Sequence, residues 1–107
     1  MREVIWLAGA DADLQAIFDM LEERQPGHGV RFLDEINDEL ACLREYPEGR
    51  PKKPTPFRKQ RIADSPFAIF YINEARGVMV HAILDLRQDP RAIFRRLFGR
   101  DPDQPSG

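Results

Sequence analysis

The chain has no apolar run approaching the roughly 18 residues that a membrane-spanning helix requires, which argues against a helical anchor. It has one cysteine, Cys42, and a single thiol excludes both an internal disulfide and a cysteine-rich zinc site. The two histidines, His28 and His81, stand far apart with no second ligand beside either, so no metal site can be argued from them. A glycine-rich phosphate loop is missing. Ser65 has no G-x-S-x-G context and, standing before Pro66, reads as turn chemistry. Met1-Arg2-Glu3 lacks the basic-then-apolar layout of a secretory signal, so the expected location is the cytoplasm. The common enzyme signatures are absent, and neither a cofactor nor a metal is expected.

What is present fits one small domain. The 107 residues are 42% hydrophobic, and the apolar ones fall into periodic runs rather than spreading thinly. Residues 1–100 are expected to form the domain, and 101–107, rich in Asp and Pro, have the composition of a flexible tail. The formal net charge of −2 hides a division along the chain. Residues 1–49 carry 4 Lys/Arg against 12 Asp/Glu, whereas residues 50–100 carry 12 against 4, a balance of −8 followed by +8.

Val4-Ile5-Trp6-Leu7 reads as an opening strand. Asp11 is placed to cap a helix whose apolar stripe is Leu14, Ile17, Phe18 and Leu21. Gln25-Pro26-Gly27 ends it, and Gly29 is expected to allow the reversal into a second, antiparallel helix. There Leu33, Ile36, Leu40 and Leu43 form the stripe with Phe32 beside it, and the helix ends near Tyr46-Pro47. Cys42, next to that stripe, is expected to be a small buried hydrophobe. Pro47 to Pro56, with prolines at 47, 51, 54 and 56, forms a loop. Strands are predicted over 57–62, 67–72 and 78–86, the last two joined by a hairpin closing at Gly77. Asp89 and Pro90 then supply the cap and first position of a helix running to Phe98. The expected fold is α+β, in the order β-α-α-β-β-β-α. A two-helix antiparallel hairpin packs on a mainly antiparallel four-stranded sheet, and a short C-terminal helix follows; that the first strand lies beside the last is an expectation from analogy, not from periodicity.

The strongest chemical signal is cationic: Arg50, Lys52, Lys53, Arg58, Lys59 and Arg61, then Arg87, Arg91, Arg95 and Arg96. Strand alternation puts Lys59 and Arg61 on the face of Phe57, and Arg58 on the other with Gln60 and Ile62. Such a row can simply protect a sheet edge. The arginines arriving in the same half favour a surface for phosphate or an acidic partner. His81 alternates onto the face of Met79, Ile83, Asp85 and Arg87; a general base is conceivable there, but a lone strand histidine is ordinarily only hydrogen-bonded.

Ala12-Asp13-Leu14, Arg31-Phe32-Leu33 with Leu40 and Leu43, Pro47-Glu48-Gly49, Phe67-Ala68-Ile69-Phe70-Tyr71, and Ala82-Ile83 with Leu86-Arg87-Gln88-Asp89-Pro90 follow one another in an order and spacing that resembles the RelE/ParE superfamily of toxins. The likeness covers nearly the whole domain and implies a bacterial type II toxin–antitoxin (plasmid stabilisation) module, its toxin bound by a cognate antitoxin and able to arrest growth. The RelE-like branch resembles a ribosome-dependent mRNA endoribonuclease that uses strand cations, a central-strand arginine and a tyrosine in the last helix region. Here Lys59 and Arg61 match the cations, but the arginine and tyrosine positions look like Ala68 and Phe94, neither of which can stabilise phosphorane charge or pass a proton. The ParE-like branch resembles an inhibitor of DNA gyrase that needs a binding surface and no catalytic set. The resemblance is therefore closer to ParE. The expected target- or antitoxin-binding residues are Lys59, Arg61, Arg87, Arg91, Arg95 and Arg96, with no membrane partner and no direct sequence-specific DNA binding. The alternatives are the RelE-like nuclease and a non-toxic binding module of the same fold.

Overall fold

The hydrophobic runs Phe67-Ala-Ile-Phe-Tyr-Ile and Val78-Met-Val-His-Ala-Ile-Leu are apolar at nearly every position, and strands of that kind need cover on both faces. The computed structural model, which describes residues 2–48 and 56–99, provides it. Its elements are β1 (Val4–Trp6), α1 (Ala8–Arg24), α2 (His28–Glu45), β2 (Arg58–Arg61), β3 (Phe67–Glu74), β4 (Gly77–Asp85) and α3 (Pro90–Phe98). The middle of the proline-rich loop, with Arg50, Lys52 and Lys53, and the expected tail at 101–107 lie outside the described residues.

The sheet order is β1-β4-β3-β2, with β1 parallel to β4 and the other two pairings antiparallel. On one face, Ile17 of α1 and Phe32, Ile36, Leu40 and Leu43 of α2 meet Ile62, Ile69, Tyr71, Val78, Val80 and Ile83 in the main core. On the other, Phe57, Ala68, Phe70, Ala82 and Leu84 form a second cluster, covered by Ile93, Leu97 and Phe98 of α3. Truncating a fully buried main-core residue such as Ile36 removes about 2–5 kcal/mol, a large part of a small domain's stability.

Several local expectations are corrected. Asp11 does not cap α1; the helix begins at Ala8 with Leu7 at the cap position and Asp11 in its first turn. Ile36, Leu40 and Leu43 are buried in the α2 stripe as expected, but at its start Phe32 takes the buried place and Leu33 is half-buried. Cys42 is exposed, lying on the solvent side of the residues that meet α1 and the sheet. The reversal between the helices uses Gly27 at φ 93°, whereas Gly29 already lies within α2. At Gly29 a Cβ would stand 2.7 Å from Glu22 Cγ, so glycine there permits close helix packing. Gly77 closes the hairpin as expected, and it also lets β1 approach: a Cβ would lie 2.6 Å from the Glu3 carbonyl oxygen.

A bulge in β4 changes which residues share a face. Phe70 opposes Ala82 and Tyr71 opposes Val80, leaving His81 as the extra residue. Alternation restarts there. Val80 and Ile83 both enter the main core, while Ala82 and Leu84 face α3. His81 therefore does not share a face with Ile83, as simple alternation predicted; its ring meets Phe57 edge-on at 5.1 Å.

The helical hairpin is held at its turn by Glu22. Its carboxylate accepts from the N–H groups of Gly27 at 3.1 Å, Gly29 at 2.8 Å and Val30 at 3.2 Å, capping α2 from the neighbouring helix. These bonds, that from Gly27 foremost, hold its carboxyl below the usual glutamate range. A group with a depressed folded pKa stabilises the fold above its unfolded value, about 4.3, and loses that contribution as pH falls through the lowered one. Glu22→Gln should accordingly lower the Tm near neutral pH, and the gap to wild type should narrow as the pH is taken down to about 3; a gap that does not depend on pH would contradict the assignment.

Candidate docking face

The second face of the sheet carries the features of a binding surface. The α3 helix starts as its sequence requires: Asp89 accepts from the Arg91 N–H at 2.9 Å and Pro90 occupies the first position. Gly99, at φ 69°, closes it by donating its N–H to the Arg95 carbonyl at 2.7 Å. Ile93, Leu97 and Phe98 turn toward the sheet, while Arg91, Arg95 and Arg96 are exposed. No residue of α3 is fully buried.

Between α3 and the β2–β3 side of the sheet runs an open groove of about 350 Å³, lined by Phe57, Lys59, Phe70, Leu86, Ile93 and Phe94 among others. Its floor is aromatic and continuous. Phe57 contacts Phe98 edge-on at 5.3 Å, and Phe98 contacts Phe94 at 4.5 Å. Aromatic walls with a few polar groups at the edge suit an apolar anchor from a partner.

The six expected site residues have different surroundings. Lys59, across from Phe70, lines the groove. Arg61, across from Ala68, is exposed and folds back on the β2–β3 turn, its Nε donating to the Ser65 carbonyl at 2.8 Å. In that turn Ser65 does the expected work: its hydroxyl donates to the Ile62 carbonyl at 2.6 Å and accepts from the Phe67 N–H at 3.2 Å. Arg87 grips Asp85 through two donors, at 3.0 and 2.8 Å. That contact lowers the Asp85 pKa and raises that of Arg87. Arg91 and Arg95 are exposed on α3, and Arg96 is bonded to Asp13 of α1 at 2.9 Å.

Charge from the acidic first half thus reaches the basic second half through Arg96–Asp13 and through Arg58–Glu48, the latter at 2.8 Å. Among the described residues, no three His, Cys, Asp or Glu side chains gather where a metal ion could be held, and no helix is long and apolar enough to cross a membrane. Sequence reasoning missed the groove's aromatic floor and the role of Asp13. Phe57 was visible only as a strand residue, and Asp13 is one of a dozen carboxylates in the first half with no local mark of its contacts.

An antiparallel helical hairpin on one face of such a sheet and a short basic helix on the other make up a small α+β domain. Residues 4–90 match the family described as ParE toxin of type II toxin-antitoxin system, parDE, and the chain belongs to that family. Among solved structures it is similar to a chain of the chromosomal ParDE TA system from P. aeruginosa, with TM-score 0.67 and 21% sequence identity. The likeness covers 78% of this chain and 94% of that one, and at this identity it speaks for the fold alone. No curated protein matches the chain.

His81 provides a probe of this face. Its Nε2 is buried without a hydrogen-bond partner, and burial, opposed by Glu74, pushes its pKa below the ordinary histidine value. The fold therefore favours the neutral ring; stability is full above about 6.5 and falls as pH drops through the lowered pKa. NMR titration of the His81 ring should give a midpoint below about 6.5, with Phe57 and Phe98 resonances moving in step; a midpoint at or above that value would refute the desolvated placement.

Proposed function

We propose that this chain is the toxin of a ParDE module that inhibits DNA gyrase by docking, with the α3 face as the contact surface, and that a cognate ParD-like antitoxin neutralises it. The observation that carries the reading is the state of positions 68 and 94. Ala68 is 0% exposed, sealed in the second cluster under α3, and Phe94 is half-buried and stacked on Phe98. A ribonuclease of the RelE-like kind would need a cation and a proton-transferring hydroxyl there. This face offers packing instead. Docking needs only shape, an apolar anchor site and charge, and the α3 side combines the groove with Lys59, Arg87, Arg91 and Arg95.

The decisive assay is supercoiling by purified gyrase. Saturating toxin should abolish it, and the charge reversal Arg91→Glu/Arg95→Glu should raise the required concentration by about ten-fold or more. Unaffected supercoiling would overturn the reading. Cuts in messenger RNA on translating ribosomes that vanish in Lys59→Ala or Arg61→Ala would put the nuclease in its place.

The antitoxin half has a kinetic consequence. A net −8 in the first half against +8 in the second makes the chain strongly asymmetric in charge, and an antitoxin segment with acidic stretches would be drawn to the basic side. The association rate should fall steeply as salt rises from about 50 to about 500 mM, while dissociation changes little; a flat association profile would contradict electrostatic steering.

A further inference from the structure

The α3 helix is thinly held. It buries no residue completely, and at its N-terminal end it is tied by its own Asp89 cap and by the short link from β4. Its last turn is fastened differently. Arg96 Nη1 donates to Asp13 Oδ2 at 2.9 Å, and Nη2 donates to the Gly9 carbonyl at 3.1 Å, so both bonds reach the first turns of α1. The same Asp13 oxygen accepts the Ile83 N–H at 3.0 Å, at a point of β4 beyond the end of β1. One carboxylate oxygen thus ties α1, the bulged strand and α3 together. The Asp13 side chain is 19% exposed and that of Arg96 35%, so the pair is better shielded than Arg87–Asp85 at 69% and 31%.

Gly9 belongs to the same contact. A Cβ there would stand 2.9 Å from Arg96 Nη2, closer than a side chain can approach without moving the guanidinium. Glycine within a helix is unfavourable relative to alanine. At this position it keeps open the space that Arg96 occupies.

We infer that Asp13 is a positioning residue for the docking face: by clasping Arg96 through the gap left at Gly9, it holds α3 in the orientation in which its outer arginines and the groove form one surface. The functional part of this inference rests on the docking reading above. The clasp itself does not.

Hydrogen exchange on the intact chain tests it with three variants that perturb the contact in separate ways. Asp13→Asn keeps an oxygen for the Ile83 N–H but removes the charge. Arg96→Gln leaves Asp13 and Ile83 together and touches no core residue. Gly9→Ala improves helix propensity while crowding the guanidinium. Each should speed exchange of the α3 amides about five-fold, the effect of losing one charge-assisted contact, with the Ile83 amide unchanged in Arg96→Gln. Asp13→Asn/Arg96→Gln should be no faster than either single change, because both remove the same contact. Each single variant should also raise the toxin concentration needed to stop supercoiling by a similar factor.

Unchanged α3 exchange in Arg96→Gln overturns the clasp. So does Gly9→Ala exchange slower than wild type, since propensity would then outweigh the contact. Faster exchange with inhibition as strong as wild type overturns the positioning role. Faster exchange in a protein whose wild type leaves gyrase untouched supports the clasp and sinks only the gyrase reading.

Discussion

Ile69, Phe70 and Tyr71 are consecutive in β3, they alternate between the two faces of the sheet, and all three are buried. Everything else in the molecule answers to that constraint. A strand apolar on both sides cannot leave either face to water, so the helical hairpin takes one and α3 the other. The division of labour is unequal. The hairpin contributes a deep core of long aliphatic and aromatic side chains, whereas α3 lays a single narrow stripe over a smaller cluster and leaves a groove beside it. The thinner cover leaves apolar surface open along the groove.

The bulge at His81 is what allows the two faces to differ. Without it, β4 would keep one parity from Val78 to Asp85, and Ile83 would face α3 while Ala82 faced the hairpin. The extra residue moves Ile83 into the main core and puts small Ala82 opposite Phe70, where α3 must pack. It also brings an imidazole against Phe57, at the root of the aromatic chain that runs to Phe98 and Phe94.

The order of elements, the sheet's make-up and the cap and stop of α3 were legible because each rests on local physics: apolar periodicity, proline at a first helical position, glycine at a hairpin close. The place of β1 beside β4 was expected by analogy alone, since its short β-branched run does not name its neighbour. What escaped were relations between distant segments. The start of α1 depends on where β1 releases the chain, which is why Asp11 lost the capping role. Gly29 is set by how closely Phe18 and Glu22 approach it, and Cys42, one residue from buried Leu43, falls on the solvent side of α2. The face of His81 depends on an insertion that no alternation rule reports. Among the expected site residues, strand parity put Lys59 on the face of Phe57, where both line the groove, but nothing local shows that Arg61 would curl onto its own turn or that Arg96 would cross to Asp13.

Those last two contacts also change how the charge division should be understood. An acidic half followed by a basic half suggests a surface prepared for a partner, yet Asp13 and Glu48 show that some of the opposition is used internally, to fasten late elements to early ones. The two uses have different physical signatures. A half-buried pair that also satisfies a backbone N–H resists salt and defines geometry. An exposed pair such as Arg87 with Asp85, screened by solvent, contributes little to stability and can exchange its carboxylate for a partner's. The outer arginines of α3 fall on the exposed side of that distinction and Arg96 on the other. On α3, then, Arg96 spends its charge on an internal contact that fixes the helix to α1, while Arg91 and Arg95 are exposed.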